Sequence, residues 1–155
     1  MFIRCQVHVD RPADGCREAL LGPPARWLPP STVTEDGEGQ LLARVGFGGG
    51  ARIAKRVRLT VGTPVVQGDW LVVPISWRAT GPSELFPSLD GTLRVEPLGP
   101  GRSRLTLSGT YEPPLGGLGR EIDHAVMHRA AEATMADFVQ GVSERLVELV
   151  SVTPT

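Results

Sequence analysis

A chain of 155 residues with 41% hydrophobic side chains has the size of one domain and is long enough to bury a single substantial core. Its formal net charge of -1, with 21% charged residues, supplies no overall field for nucleic acid, an anionic membrane or an acidic partner, so any such contact would need a local patch. No apolar run approaches the roughly 20 residues that cross a bilayer, and the expectation is a soluble, cytoplasmic protein with no transmembrane segment and no nucleic-acid partner.

The opening MFIRCQVHVD alternates in period two. Ile3, Cys5, Val7 and Val9 share one face and Arg4, Gln6 and His8 the other, the pattern of a half-buried strand. It has neither the basic head nor the apolar run of a secretory signal. Cys5 in this strand and Cys16 in a polar turn or short helix do not make a disulfide framework, which fits a reducing, intracellular setting. In RPADGCREALLGPPARWLPP the apolar groups are cut by Gly22, Pro23, Pro24, Pro29 and Pro30, so only two brief helices fit, the second anchored by Trp27 and Leu28. The segment TEDGEGQ is a polar turn.

Five strands are expected next: QLLARVGF, ARIAKRVRLTV, DWLVVPISWRA, DGTLRVEPL and RSRLTLSGTYE. Between them lie GGG, QGD, the loop TGPSELFPSL and GPG, and gaps this short join antiparallel neighbours. Leu71, Val73, Ile75 and Trp77 form one apolar face, matched by Leu93 with Val95 and by Leu105, Leu107, Gly109 and Tyr111. The opposite faces carry Arg44, Arg56, Arg58, Arg78, Arg94 and Arg104 among Thr and Ser, so one side of the sheet meets the core and the other meets water.

After Pro114 the period becomes helical. A helix from about Leu118 to Val150 would run roughly 50 Å, with Ala131, Met135, Phe138, Val142, Leu146 and Leu149 on one side and Asp137, Gln140, Glu144 and Glu148 opposite. The chain thus reads as a single α+β domain over residues 1–155: a curved antiparallel sheet of six or seven strands wrapped around a long C-terminal helix, with two short helices after the first strand. A helix covers a strip only about 10 Å wide. The rest of the concave face must be filled by side chains, by the short helices and loops, or by a ligand.

Several groupings invite chemistry. In PLGGLGRE, Gly117 and Gly119 make G-x-G, but the next position a dinucleotide turn requires is Ile122, and that motif belongs to a parallel strand-helix-strand unit. A sharp corner from strand to helix explains these glycines without phosphate. His124 and His128 stand four apart on the helix face turned to the sheet; zinc needs at least a third ligand, so no metal and no cofactor is assigned, and the pair is read either as structural or as polar groups at a cavity mouth. Trp77 and Tyr111 project from the concave face, and Phe86 sits in a proline-bounded loop. Lys55 interrupts the apolar alternation of Ile53, Val57, Leu59 and Val61 and is placed at the rim. The outer arginines lack the interleaved aromatics that stack bases and read as a solvated convex face.

The run ISWRATGPSELFPSLDGTLRVEPLGPGRSRLTLSGTYEPPLGGLGREID, followed by an Ala-rich helix, resembles the C-terminal half of the helix-grip superfamily called SRPBCC. That superfamily includes START lipid-transfer domains, pollen-allergen-like proteins and aromatic polyketide cyclases, and the element order extends the likeness over nearly the whole chain. The resemblance implies a helix-grip fold that binds a hydrophobic small molecule between sheet and helix: a lipid, a polyketide or an isoprenoid-like compound. No cyclase catalytic set maps onto these residues, so no catalytic residue is assigned. Trp77, Leu93, Leu107 and Met135 are expected to supply apolar wall, and Tyr111, His124 and His128 to orient one polar end, in a cavity of at least about 300 Å³. Two other readings stay open. One is a cyclase- or dehydratase-type enzyme with a cavity His or Tyr as acid-base group; the other is an interaction module without a ligand, which a large exposed apolar patch would mark. Homodimerisation is left open.

Overall fold

The computed structural model describes residues 2–29, 32–34, 40–45, 55–79, 88–112 and 124–150, with side chains at all of these except 32–34, 40–45, 55–57, 79, 112, 124–127 and 130. The elements run β1 (Phe2–Val9), α1 (Ala13–Leu21), α2 (Pro24–Trp27), β2 (Thr32–Thr34), β3 (Gln40–Val45), β4 (Lys55–Val61), β5 (Val65–Gln67), β6 (Trp70–Ala79), β7 (Ser88–Gly99), β8 (Arg102–Glu112) and α3 (His124–Leu149). The strands form one antiparallel sheet in the order β1-β8-β7-β6-β4-β3-β2, with β5 paired to β6 beside that path. This is the α+β architecture expected. Among the described residues the sheet has eight strands rather than six or seven, because β2 and β5 are three residues each, too short to show a period.

Two strand boundaries have local causes. β4 and β5 share one edge of β6, and Gly62 to Pro64 lie between them. The Gly62 N–H donates to the Pro74 carbonyl at 2.8 Å. A residue's N–H and C=O point to the same side of an antiparallel strand, so the donor that Pro74 lacks would have faced the break between β4 and β5. Proline therefore sits inside a ten-residue strand without leaving a ladder acceptor unmet. β7 begins at Ser88, two residues earlier than the sequence pattern suggests, because Leu89 continues the inward series Gly91, Leu93, Val95 and pairs with Tyr111. Leu89 is buried.

The inner face follows the alternation. Leu71, Val73, Ile75, Trp77, Leu93, Val95, Leu105, Leu107 and Tyr111 are all buried. One row is different: Ile75, Gly91, Gly109 and Ile3 stand side by side across β6, β7, β8 and β1. A Cβ on Gly91 would lie 2.2 Å from the Ser108 carbonyl oxygen, and one on Gly109 would lie 2.6 Å from that of Asp90. The two strands approach here more closely than side chains allow.

On the covering side, α1 buries Ala13, Cys16 and Leu20, and Trp27 and Leu28 are buried at α2 as expected. Pro24 opens α2 with a pre-set φ. α3 buries Ala131, Met135, Phe138, Val142 and Leu146, joined by Thr134, Val139 and Ser143, while Asp137, Gln140, Glu144 and Glu148 are exposed. Leu149 departs from the expected stripe and is 39% exposed. At the helix end the neighbour is α1, and Val150 meets it instead: Val150 is buried against Gly15, and its carbonyl accepts from Arg11 Nε at 2.8 Å. The stretch from Leu118 to Asp123 and the glycine corner lie outside the described residues, as do Phe86 and the side chains of Lys55, Arg44 and Arg56.

Candidate functional site

Strand register assembles the site before any helix is added. Trp77 pairs with Leu89 and Leu89 with Tyr111, so three inward side chains from β6, β7 and β8 form one row. Ala131, Thr134 and Met135 of α3 lie over that row, and the six residues line a cavity of about 10 Å³. That is room for one water at most, far below the volume the sequence reading expects. The cause is bulk: Trp77, Tyr111 and Met135 are each at least 98% buried, and the Trp77 ring packs against Phe138 at 5.5 Å with a 57° tilt.

A polar chain leads from this cavity outward. Tyr111 Oη stands 3.4 Å from His128 Nδ1, the rings 6.0 Å apart. His128 Nε2 faces Glu132 Oε2 at 3.6 Å, one helical turn on. His128 and Glu132 are 42% and 58% exposed, so the chain runs from solvent to a buried phenol. Burial pushes the Tyr111 hydroxyl above its ordinary pKa. Cys5 of β1 lies beside the same turn, its Sγ 3.8 Å from the Glu132 carbonyl oxygen; burial first, then the Glu132 charge, raises its thiol.

The structure therefore brings Trp77, Tyr111, His128 and Met135 together. Leu93 and Leu107 are buried and pair with each other, but they stand beyond the glycine row, four residues or about 13 Å along the strands from Leu89 and Tyr111. They are core, not wall of this cavity. His124 opens α3 one turn before His128, its side chain outside the described set. Sequence reasoning missed Leu89, Thr134 and Glu132. Leu89 carried a signal, as the next inward position of β7's alternation; Thr134 and Glu132 carried none beyond their helical spacing. Among the described residues no three His, Cys, Asp or Glu side chains gather closely enough to hold a metal.

A larger hollow, about 610 Å³, opens between α1 and the end of α3, with Asp14, Glu18 and Arg26 in its walls beside Leu149 and Val150. Its α3 residue Leu149 lies 21 residues along the helix from His128, about 32 Å away, and its mixed charges do not form a wall for an apolar guest.

The model of a family described as polyketide cyclase/dehydrase and lipid transport matches residues 5–147. The chain belongs to that family. The SRPBCC resemblance is borne out, and membership implies a hydrophobic-ligand-binding cavity. Solved structures agree on the fold. A conserved protein from Geobacillus kaustophilus superposes with a TM-score of 0.64 at 13% identity, covering 97% of this chain and 98% of its own. Norcoclaurine synthase from Thalictrum flavum, in complex with dopamine and hydroxybenzaldehyde, gives 0.53 at 17% identity over 97% and 88%. The Zhui aromatase/cyclase from Streptomyces sp. R1128 gives 0.50 at 22% identity over 95% of each. At these identities the likeness is one of fold. Among curated proteins, none matches the sequence. No described helix is long and apolar enough to cross a membrane.

Proposed function

We propose that this protein binds a hydrophobic small molecule of the lipid, polyketide or isoprenoid kind between the sheet and α3, with Tyr111 and His128 holding its polar end. The observation that carries the reading is a hydrogen-bonding pair set at the edge of a largely apolar wall, Tyr111 and His128 beside Trp77, Leu89, Ala131 and Met135, with Thr134 as the other polar lining residue among those described. Convergent polar groups in an apolar recess orient a ligand of that type. His124 stands one helical turn before His128 in the sequence of α3, and Leu93 and Leu107, in the core beyond the glycine row, lie next to any space that a guest opens along β7 and β8. A lipid-sized guest needs roughly 300 Å³ or more, so binding on this reading parts the walls, with unbranched Met135 as the side chain best able to give way. The test is titration with the neutral fluorescent probe N-phenyl-1-naphthylamine. Ala131→Trp, which fills the recess, should weaken uptake at least about tenfold, as expected when one well-packed site is blocked; equal uptake by both proteins, or none by either, would sink the reading.

A second reading is a cyclase- or dehydratase-type enzyme. It is favoured by the Glu132 carboxylate behind His128, since a base oriented by a third group is the arrangement acid-base catalysis uses. In the same assay Tyr111→Phe separates the two: probe uptake kept while turnover of a poly-β-keto substrate is lost supports catalysis, and no turnover by the wild type removes it.

A further inference from the structure

The outer face of the sheet holds a polar cluster that the interior reading does not use. Register sets Arg94 directly opposite Thr106 and Glu96 opposite Arg104, so these four side chains occupy one square on the outer side of β7 and β8. Glu96 Oε1 accepts from Arg104 Nη1 at 3.4 Å and lies 3.9 Å from Arg94 Nη2. One carboxylate thus steadies two guanidiniums and neutralises only one of them. On its other flank Arg94 stacks on Trp70, with 4.6 Å from Cζ to the ring centroid, which fixes its plane. The neighbouring position on β1 across from Arg104 is His8, whose Nδ1 is 3.4 Å from Arg102 Nη2, and Arg102 in turn pairs with Asp10 at 3.4 Å. No carboxylate other than Glu96 reaches the square among the described residues.

Three polar atoms of the square are buried without a hydrogen-bond partner: Arg94 Nε, Arg104 Nε and Thr106 Oγ1. Thr106 is 1% exposed, while the Arg94 and Arg104 side chains keep 30% and 34% of their surface in solvent. Native structures seldom leave such atoms unmatched, because burial strips their water without replacing it. The Nε edge of a guanidinium is also the fork that takes an oxyanion side-on. We infer that this square is a binding site for a phosphate-type oxyanion, seated between the Nε edges of Arg94 and Arg104 and contacted by the Thr106 hydroxyl. A tetrahedral ion offers oxygens in the separate directions that two forks and a hydroxyl require, whereas a planar carboxylate would fill one fork. The uncompensated positive charge selects an anion, and a cation is excluded by the same surplus.

The test is a titration of inorganic phosphate into ¹⁵N-labelled protein at constant ionic strength, following the Nε–H resonances of Arg94 and Arg104. Saturable shifts are expected in the wild type. Thr106→Val keeps the branched shape and removes only the hydroxyl; its affinity should fall about tenfold, and Arg104→Gln should abolish saturation, with the backbone amide spectrum reporting that each variant is folded. Pelleting with phosphatidic acid vesicles but not with phosphatidylcholine vesicles assigns the phosphate to a lipid headgroup, and saturable binding without pelleting assigns it to a free phosphate or phosphate monoester. Shifts that never saturate, that chloride reproduces, or that are identical in wild type and Thr106→Val would overturn the site.

Discussion

Cys16 shows how burial becomes a property that can be measured. Its thiol is fully buried in α1 and faces Ser103 Oγ at 3.5 Å. Burial raises its pKa above the ordinary 9.0, and the Ser103 contact and the Arg11 charge only partly oppose that. A raised thiol pKa means the unfolded chain loses its proton first as pH climbs, so the folded state is fully favoured below about pH 9 and loses stability above it. Urea unfolding midpoints should drop between about pH 8 and about pH 10, and drop less in Cys16→Ala; equal slopes would show that the Cys16 thiol does not carry the effect. Cys5 and Tyr111 shift in the same direction, so the variant should retain part of the dependence. The pattern of alternation put Tyr111 on the inner face, and helical projection turned His128 toward the sheet. Their meeting at 3.4 Å was not legible, because it depends on where α3 lies along β8.

At the scale of elements, period and punctuation carried most of the reading. β8 matches its predicted span residue for residue, and both short helices fall between the glycines and prolines that bound them. What escaped was short or conditional: β2 and β5 have no room for a period, and Leu149 projects onto the apolar stripe of a helix whose last turn has α1, not the sheet, for a neighbour. The Gly91–Gly109 pair belongs here as well, since two unremarkable glycines in separate strands acquire their role only by standing opposite each other. Gly91→Ala drives a Cβ into the backbone of β8 and should lower stability by about 2–4 kcal/mol, a size reserved for backbone strain and core disruption. Gly101→Ala, in the β7–β8 turn with open space around it, should stay within about 0.5 kcal/mol. Thermal unfolding followed by circular dichroism compares the two, and similar losses would contradict the close approach.

The whole molecule is held by one continuous core that runs from Ile3 in β1 through the sheet to Val150 after α3, with Cys16, Leu20, Trp27 and Leu28 of the short helices inside it. Arg11, just after β1, ties the residue that follows α3, Val150. Elements from both ends thus share the same packing, and unfolding should be a single cooperative event. Near- and far-ultraviolet circular dichroism should trace one coincident transition in urea; two separated transitions would mean that α3 or the short helices detach on their own.

The amino-acid sequence by itself determined what depends on neighbours a few residues apart: which of the longer stretches are strands, which side of each faces inward, that a long helix follows the last strand and, through element order, the family. Tertiary structure alone decided the quantities that join distant segments. It set the cavity beside Trp77 and Tyr111 at about 10 Å³, excluded Leu93 and Leu107 from its wall, and placed Arg94, Arg104 and Thr106 in one square on the outer face. Periodicity specifies direction from a backbone but not register between strands or the height of a helix above them, and volume and polar contact depend on both.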